Sequence, residues 1–277
     1  MRGTPSSIVI TGASSGFGRD IATTLAQRGW RVLATMRDPG RGAELKAAGA
    51  VEVTRLDVTS PKDRARVVTD AQGFFGHAPD VVLHNAGYTT AGFFEDLTST
   101  QQDHLLQTNL VGPLELTRLF LPGMRERGTG RIAVMSSNAA NVPHPMYSIY
   151  AASKWALEGW AEALAIEVAP FGIDVVVFQP GNHDTAFGSN VVPVLPEDSA
   201  YSDQAARALP RMARLGRYAR PAEKATHRMC EVLDAPTTRL RVRLGPDDHV
   251  AAWLARLAPY ALRRRGVEWI TGLGTSS

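Results

Sequence analysis

The chain has 277 residues, 44% of them hydrophobic and 21% charged, which excludes a disordered protein and is enough to bury one large core. The formal net charge is +3, and basic residues are spread along the sequence except at Arg263, Arg264 and Arg265. No nucleic-acid partner is therefore expected, the cluster reads as a solvated helix end, and the lone cysteine, Cys230, rules out an intrachain disulfide and suits a reducing interior.

The opening MRGTPSS shows no signal-peptide region, and no apolar run approaches the ~20 residues of a membrane helix, so a cytoplasmic protein without an integral membrane segment is expected. The first strand is expected in SIVIT from Ser7, with a helix over residues 16–28. Between them TGASSGFG, from Thr11 to Gly18, carries glycines at 12, 16 and 18 that permit a tight turn and a close backbone approach. Free amides at the start of the helix then face an anion, and a pyrophosphate satisfies such a site. The second strand, RVLATM from Arg31, runs into Arg37 and Asp38. A carboxylate at that strand end would bind the ribose 2′-hydroxyl, whereas an arginine fork suits a 2′-phosphate, so NADP is expected over NAD. The opposing reading makes Arg37 a surface residue and Asp38 a helix cap.

A third strand is expected in VEVTRL from Val51, followed by Asp57, and a fourth in DVVLHN from Asp80, followed by Asn85, Ala86 and Gly87 at the same sheet edge. Helices are expected over residues 60–74 and 99–126, a fifth strand in RIAVMS from Arg131, a helix over 150–168 and a sixth strand in IDVVVFQ from Ile173. Strands that alternate with helices and are apolar on both faces predict an α/β fold, a Rossmann-type doubly wound parallel sheet with helices on both sides. Ligands of such sheets bind at the carboxyl ends of the strands. In YSIYAASK, residues 147–154, Tyr150 and Lys154 share one helix face. An ammonium beside a phenol favours the phenolate, so the tyrosine pKa is expected to fall toward neutrality. Tyr147 has Ala151 four residues on and no such partner.

The glycine loop, HNAG, the serine pair Ser136–Ser137, YAASK and QPG follow in this order, and with them the sequence resembles the short-chain dehydrogenase/reductase family from about residue 5 to residue 185. The resemblance implies a hydride transfer between NADP(H) and a carbonyl or alcohol, NAD(H) being the less favoured cofactor. It implies that Ser137 holds the substrate carbonyl, that Tyr150 is the general acid, that Lys154 lowers the tyrosine pKa and holds the nicotinamide ribose, and that Asn109 positions a water of a proton relay. Gly12, Ser14, Ser15, Gly16, Phe17 and Gly18 would line the pyrophosphate, Asp57 and Val58 the adenine, and Asn85, Ala86 and Gly87 the cofactor's inner edge. Pro180, Gly181 and Thr185 would meet the nicotinamide. The family commonly forms homodimers or homotetramers through its fourth and fifth helices. His84 stands where the family usually has asparagine, and His144, Met146 and His183 are candidate substrate contacts.

Past the sixth strand the pattern loosens into an expected loop-rich lid over residues 183–215, with the apolar Val191, Val192, Val194 and Leu195 suiting a medium-sized, partly apolar substrate. RLRVRL from Arg239 reads as a seventh strand. In HVAAWLARL, Val250, Trp253, Leu254 and Leu257 have the spacing of an amphipathic helix. The chain is expected to be one dinucleotide-binding catalytic domain, residues 1–277, with a C-terminal extension from about residue 246. Two other readings keep the nucleotide: a redox-neutral, epimerase-like reaction, and a non-catalytic NADP-sensing scaffold, which has no need of Asn109, Ser137, Tyr150 and Lys154 together.

Overall fold

The β-branched runs do pair into one parallel sheet of seven strands in a computed structural model that describes residues 6–47, 51–245, 248, 249, 252, 255 and 257–274. The strands are β1 (Ser7–Thr11), β2 (Arg31–Met36), β3 (Val51–Arg55), β4 (Val81–His84), β5 (Gly130–Met135), β6 (Ile173–Gln179) and β7 (Arg241–Arg243). Their order across the sheet is β7-β6-β5-β4-β1-β2-β3. The order reverses on either side of β1, where Ile8 lies opposite both Val32 of β2 and Val81 of β4. That reversal opens a crevice beyond the carboxyl ends of β1 and β4.

Alternation along the strands divides the core into two layers. Ile8 and Ile10 pack with Ile21 and Leu25 of α1 (Gly16–Gln27) and with Met229, Cys230 and Leu233 of a helix over Ala222–Asp234. Val9, Val82 and Ile132 face the opposite way, onto α2 (Pro61–Phe75), α4 (Gly112–Arg127) and α5 (Ser148–Val168), through Val67, Leu116, Phe120 and Leu157, and α3 (Ser99–Leu106) packs on α5. Both faces of the sheet are thus covered, which is why the central strands β1, β4, β5 and β6 are almost wholly buried.

Three expected elements differ in detail. The helix over residues 99–126 is split into α3 and α4 by a π-helical turn, Gln107–Val111. The lid is less irregular than its prolines suggest: a short helical turn covers Ala186–Ser189, Val192 and Pro193 pair with Thr90 and Ala91, and α6 (Ser202–Gly216) forms its last part. β7 is shorter than RLRVRL: the ladder on β6 covers Arg241–Arg243, and Leu240 and Leu244 add one backbone bond each at its ends. The helix over Ala222–Asp234 is α7, and α8 (Tyr260–Thr271) packs on α6. Val250, Trp253 and Leu254 lie outside the described residues, and Leu257 is exposed. Among the described residues no helix is long and apolar enough to cross a membrane.

Arg131, buried on β5, ties the end of α7 to the sheet. Its guanidinium donates to the carbonyls of Val232 (3.1 Å), Leu233 (2.8 Å) and Ala235 (2.8 Å) and to Asp174 on β6 (3.3 Å). Arg131→Met leaves those carbonyls without a donor, and the urea midpoint should fall by an amount equal to roughly 3–5 kcal/mol with the m-value unchanged. A loss under about 1 kcal/mol would mean that water replaces the guanidinium.

Candidate active site

The glycine loop is held from below by the turn after β4. Asn85 donates its side-chain amide to the carbonyls of Thr11 and Gly12, both at 3.0 Å, and the Thr11 hydroxyl accepts from the amides of Asn85 and Ala86, also at 3.0 Å. Gly12 has φ +68°, and a Cβ there would lie 2.8 Å from the Ala86 Cα. Gly18 is pinned equally, since a Cβ would meet the Asn85 amide and stand 2.6 Å from the Gly12 carbonyl oxygen. Ser15 precedes α1 without capping it through its side chain, which leaves the first-turn amides open to an anion. Ser14 and Ser15 are half-buried, and the Thr185 Cβ lies 3.5 Å from where a Gly16 side chain would begin. Thr185 therefore overhangs the loop, and the Phe17 ring meets His183 edge-on at 5.6 Å. This cradle, walled by backbone that tolerates no Cβ, fits the pyrophosphate of a dinucleotide.

At the end of β2, Arg37 is exposed, while Asp38 accepts from the Gly40 amide at 3.0 Å and caps a 3-10 turn. Both parts of the opposing reading hold locally, yet the charge of Arg37 reaches across the crevice. Burial pushes the Asp57 carboxyl up, but hydrogen bonds from the Thr59 hydroxyl and amide, and then the Arg37 guanidinium, bring it below its usual value. Arg37 also acts on the Tyr88 phenol, which burial raises. The charge of the arginine thus bears on Asp57 and on Tyr88, just past the turn after β4. Val58 is buried beneath, where its carbonyl and Cβ leave no room for a side chain on Gly112.

The structure brings Asn109, Ser137, Tyr150 and Lys154 together. Asn109 is buried on the π-helical turn, a distortion that recurs at functional sites. Its Nδ2 donates to the Tyr88 carbonyl (2.8 Å) and to the Ser153 hydroxyl (3.3 Å), and its Oδ1 accepts from the Tyr88 amide (3.0 Å). A Cβ on Gly87 would lie 3.1 Å from that Oδ1 and 3.6 Å from the Lys154 Nζ, so a bare backbone separates asparagine from lysine. Lys154 donates to the Met135 carbonyl at 2.8 Å, and its Nζ lies 5.6 Å from the centroid of the Tyr150 ring. Ser137 accepts from the Ala139 amide at 3.1 Å, and its hydroxyl stands by the Tyr150 phenol, whose ionised form it favours.

The phenol departs from expectation. Burial pushes Tyr150 up to about 12, the Ser137 hydrogen bond opposing, and burial also pulls Lys154 down to about 8, with Glu158 opposing. The ammonium lies over the ring and on a backbone carbonyl, so burial, not the lysine, dominates the phenol. The consequence is a tyrosine that holds its proton at neutral pH. His84, too, is enclosed: its Nε2 meets the Thr117 hydroxyl at 2.7 Å, and burial lowers it to about 3. It packs as a neutral side chain in the asparagine's place.

In the segment between Ser137 and Tyr150, Met146 is buried with φ +68°, the one non-glycine residue with positive φ among the described residues. Its carbonyl accepts from Gly92 at 3.0 Å, and its side chain packs with Phe93, Ala205 and Ala208 of the lid helix α6, backed by Tyr147, Tyr201 and Met212. His144 lies close by, and burial lowers its pKa. His183 meets Gly181 and Phe17 instead, beside the glycine loop. Pro180 accepts from the Asn138 amide at 3.0 Å, and Gly181 lies against the Asp248 carboxylate with no room for a Cβ. Val192 and Leu195 are exposed, so the lid's apolar contribution comes from α6 and not from them. Phe187, whose ring is 5.8 Å from that of Tyr150, carries no periodic signal in the sequence.

The short chain dehydrogenase family matches residues 6–194. The chain is similar to the 3-ketodihydrosphingosine reductase of Bacteroides thetaiotaomicron, at 32% identity over 94% of this chain and 97% of that protein. A short-chain dehydrogenase from Streptomyces avermitilis has the same fold, with TM-score 0.81, 34% identity, and 95% and 97% of the two chains covered. A metagenomic short-chain oxidoreductase in complex with NADP aligns at TM-score 0.60 and 32% identity over 63% of this chain and 81% of its own. Solved likenesses of the fold hold NAD as well as NADP. A match across more than half the sequence, on the fold and the crevice described above, places the chain in the short-chain dehydrogenase/reductase family of oxidoreductases.

Proposed function

We propose that the chain transfers hydride between NADP(H) and the carbonyl or alcohol carbon of a medium-sized, partly apolar substrate, with Tyr150 as general acid in reduction and general base in oxidation. The observation that carries this reading is the buried Tyr150, hydrogen-bonded by Ser137 and overlaid by Lys154 at the carboxyl end of β5. A nicotinamide held there would supply or accept the hydride. Ser137 and Tyr150 donate toward the carbonyl oxygen, where negative charge develops as the carbon is attacked. A phenol held protonated suits the reductive direction, because its proton remains on the oxygen until that charge appears. Lys154 stabilises the phenolate left behind, and Asn109, which fixes both backbone groups of Tyr88, keeps the cofactor side of the lysine in place.

The cradle of Gly12, Ser14, Ser15, Gly16, Phe17 and Gly18 would hold the pyrophosphate, Asp57 and Val58 the adenine, and Pro180, Gly181 and Thr185 the nicotinamide. Phe93, Met146 and α6 give the substrate an apolar wall, in keeping with a relative named as a ketone reductase. Residues 1–277 act as one catalytic unit in this reading, with residues 183–215 as lid and the region from 246 as extension. Leu119 on α4 and Trp155 and Ile166 on α5 are exposed, which suits a homodimer or homotetramer built on those helices. A reducing, cytoplasmic setting suits the buried thiol of Cys230.

Incubation of the protein with NADPH and a panel of apolar ketones and aldehydes, followed by cofactor absorbance, tests the reading. Consumption with a subset of the panel is expected. Tight NADPH binding without turnover of any carbonyl, or of the matching alcohols with NADP, would contradict it. For cofactor choice, Arg37→Ala should cut the ratio of NADPH to NADH affinity about tenfold, the worth of one charge-assisted contact to the 2′-phosphate. Fluorescence titration of both nucleotides measures the ratio, and an unchanged value would remove Arg37 from that role.

A further inference from the structure

Three successive residues at the end of β5 hold three successive turns of one face of α5. Ser137 bonds the Tyr150 phenol, the Met135 carbonyl accepts from Lys154 at 2.8 Å, and the Ser136 hydroxyl donates to Glu158 at 2.6 Å. The first two contacts belong to the proposed chemistry, and the third has no part in it yet. Glu158 is 8% exposed, and a carboxylate so buried persists only where donors and cations surround it. Gln179 at the end of β6 donates to both its oxygens, at 2.8 and 2.9 Å, and Arg241 on β7 pairs with it at 3.0 Å while its other arm reaches Glu162 at 2.6 Å. Three strands therefore converge on a carboxylate one helical turn beyond the lysine.

We propose that Glu158 is a positioning residue for the proposed reaction, a buried anion that keeps Lys154 protonated and locks α5 in register on the end of β5. The charged and titratable groups that bear on the pair are Tyr150 on the same helix and Arg241 on the seventh strand, with Glu162 behind the arginine; Ser136, Gln179, Asn109 and the Met135 carbonyl supply only dipoles. Burial drives the ammonium toward its neutral form and Glu158 resists it, which leaves the lysine at about 8. Without the anion, Lys154 would release its proton at a lower pH and could no longer stabilise the phenolate there. Arg241 competes for the same carboxylate. Removing the arginine should therefore move the lysine in the opposite direction.

The inference rests on the proposed chemistry for its purpose, yet its test does not. The chain has four lysines, Lys46, Lys62, Lys154 and Lys224, so carbon-13 labelling at lysine Cε gives a spectrum simple enough to follow Lys154 through a pH titration of the protein without nucleotide. A titration near pH 8 is expected for wild type, at least one unit lower for Glu158→Gln, and higher for Arg241→Met. With a ketone reduced by wild type, the alkaline limb of kcat should shift in the same two directions, and Glu158→Asp should recover part of the loss. Loosened packing alone would shift both variants alike. If Lys154 titrates at the wild-type pH in folded Glu158→Gln, or if both substitutions move it the same way, the inference is overturned. Should Glu158→Gln fail to fold, the upward shift in Arg241→Met still decides it. Absence of any reductase activity would defeat the proposed function and leave the titration result standing.

Discussion

Tyr150→Phe should bind NADPH with the affinity of wild type and reduce carbonyls at least ~100-fold more slowly. The substitution removes one oxygen and one proton. The ring stays where it is, buried on α5 with Phe187 at 5.8 Å and the Lys154 ammonium 5.6 Å from its centroid. No backbone group loses a partner, because the phenol's hydrogen bond is with the Ser137 side chain, which still accepts from Ala139. Stability should therefore change little, and the loss should fall on kcat. Two contributions vanish together: the proton delivered to the nascent alkoxide, and one of the two donors aimed at it, each worth a few kcal/mol in a site closed to water. Single-turnover absorbance with saturating NADPH measures the chemical step directly. Activity within tenfold of wild type would mean that another group delivers the proton, and the general-acid role would pass from Tyr150.

Gly18→Ala should weaken NADPH binding by roughly 100-fold and destabilise the fold by about 2 kcal/mol, although alanine is the better helix former by about 1 kcal/mol. Sterics override propensity here. The added methyl would collide with the Asn85 amide and stand 2.6 Å from the Gly12 carbonyl oxygen, and it would crowd the Ala13 Cα at 3.1 Å. None of these is the free end of a flexible chain, since Asn85 is fixed by its two bonds to Thr11 and Gly12. Relief requires Asn85 to release the loop, and with it goes the cradle for the pyrophosphate. Nucleotide titration alongside urea unfolding separates the two effects. An unchanged affinity would show that the loop does not need this close approach to hold an anion.

The parallel sheet was legible because period and composition agree in each strand, and the glycine loop because its place after β1 and before α1 is part of the signal. The Asn109, Ser137, Tyr150 and Lys154 set was legible only as spacing within ordered motifs. Its acidity was not. The pairing of Tyr150 with Lys154 predicts a lowered phenol, but proximity along a helix says nothing of burial, and burial decides the direction. The π-helical turn at Asn109 was hidden for a similar reason, since one extra residue in a helix of steady apolar pattern leaves no mark on composition. Nothing in the local sequence marks Glu158, because its partners Ser136, Gln179 and Arg241 come from segments far apart in the chain. Phe187 and the wall of Phe93, Met146 and α6 depend on how the lid folds back, which nothing in the local pattern of residues 183–215 encodes. What sequence conveys well is periodic burial and motif order. Long-range polar contacts and loop closure are settled by tertiary packing.

In the proposed reaction a hydride and a phenolic proton reach the same carbonyl. Reaction of a reducible apolar ketone with NADPH deuterated at the transferring C4 position, followed by mass spectrometry of the product, tests it most directly. One deuterium at the carbinol carbon per NADPH consumed in wild type, and almost none over the same interval in Tyr150→Phe, is the expected result. Product that forms without label, or cofactor that emerges unchanged while substrate is converted, would contradict it and point to redox-neutral chemistry in the same crevice.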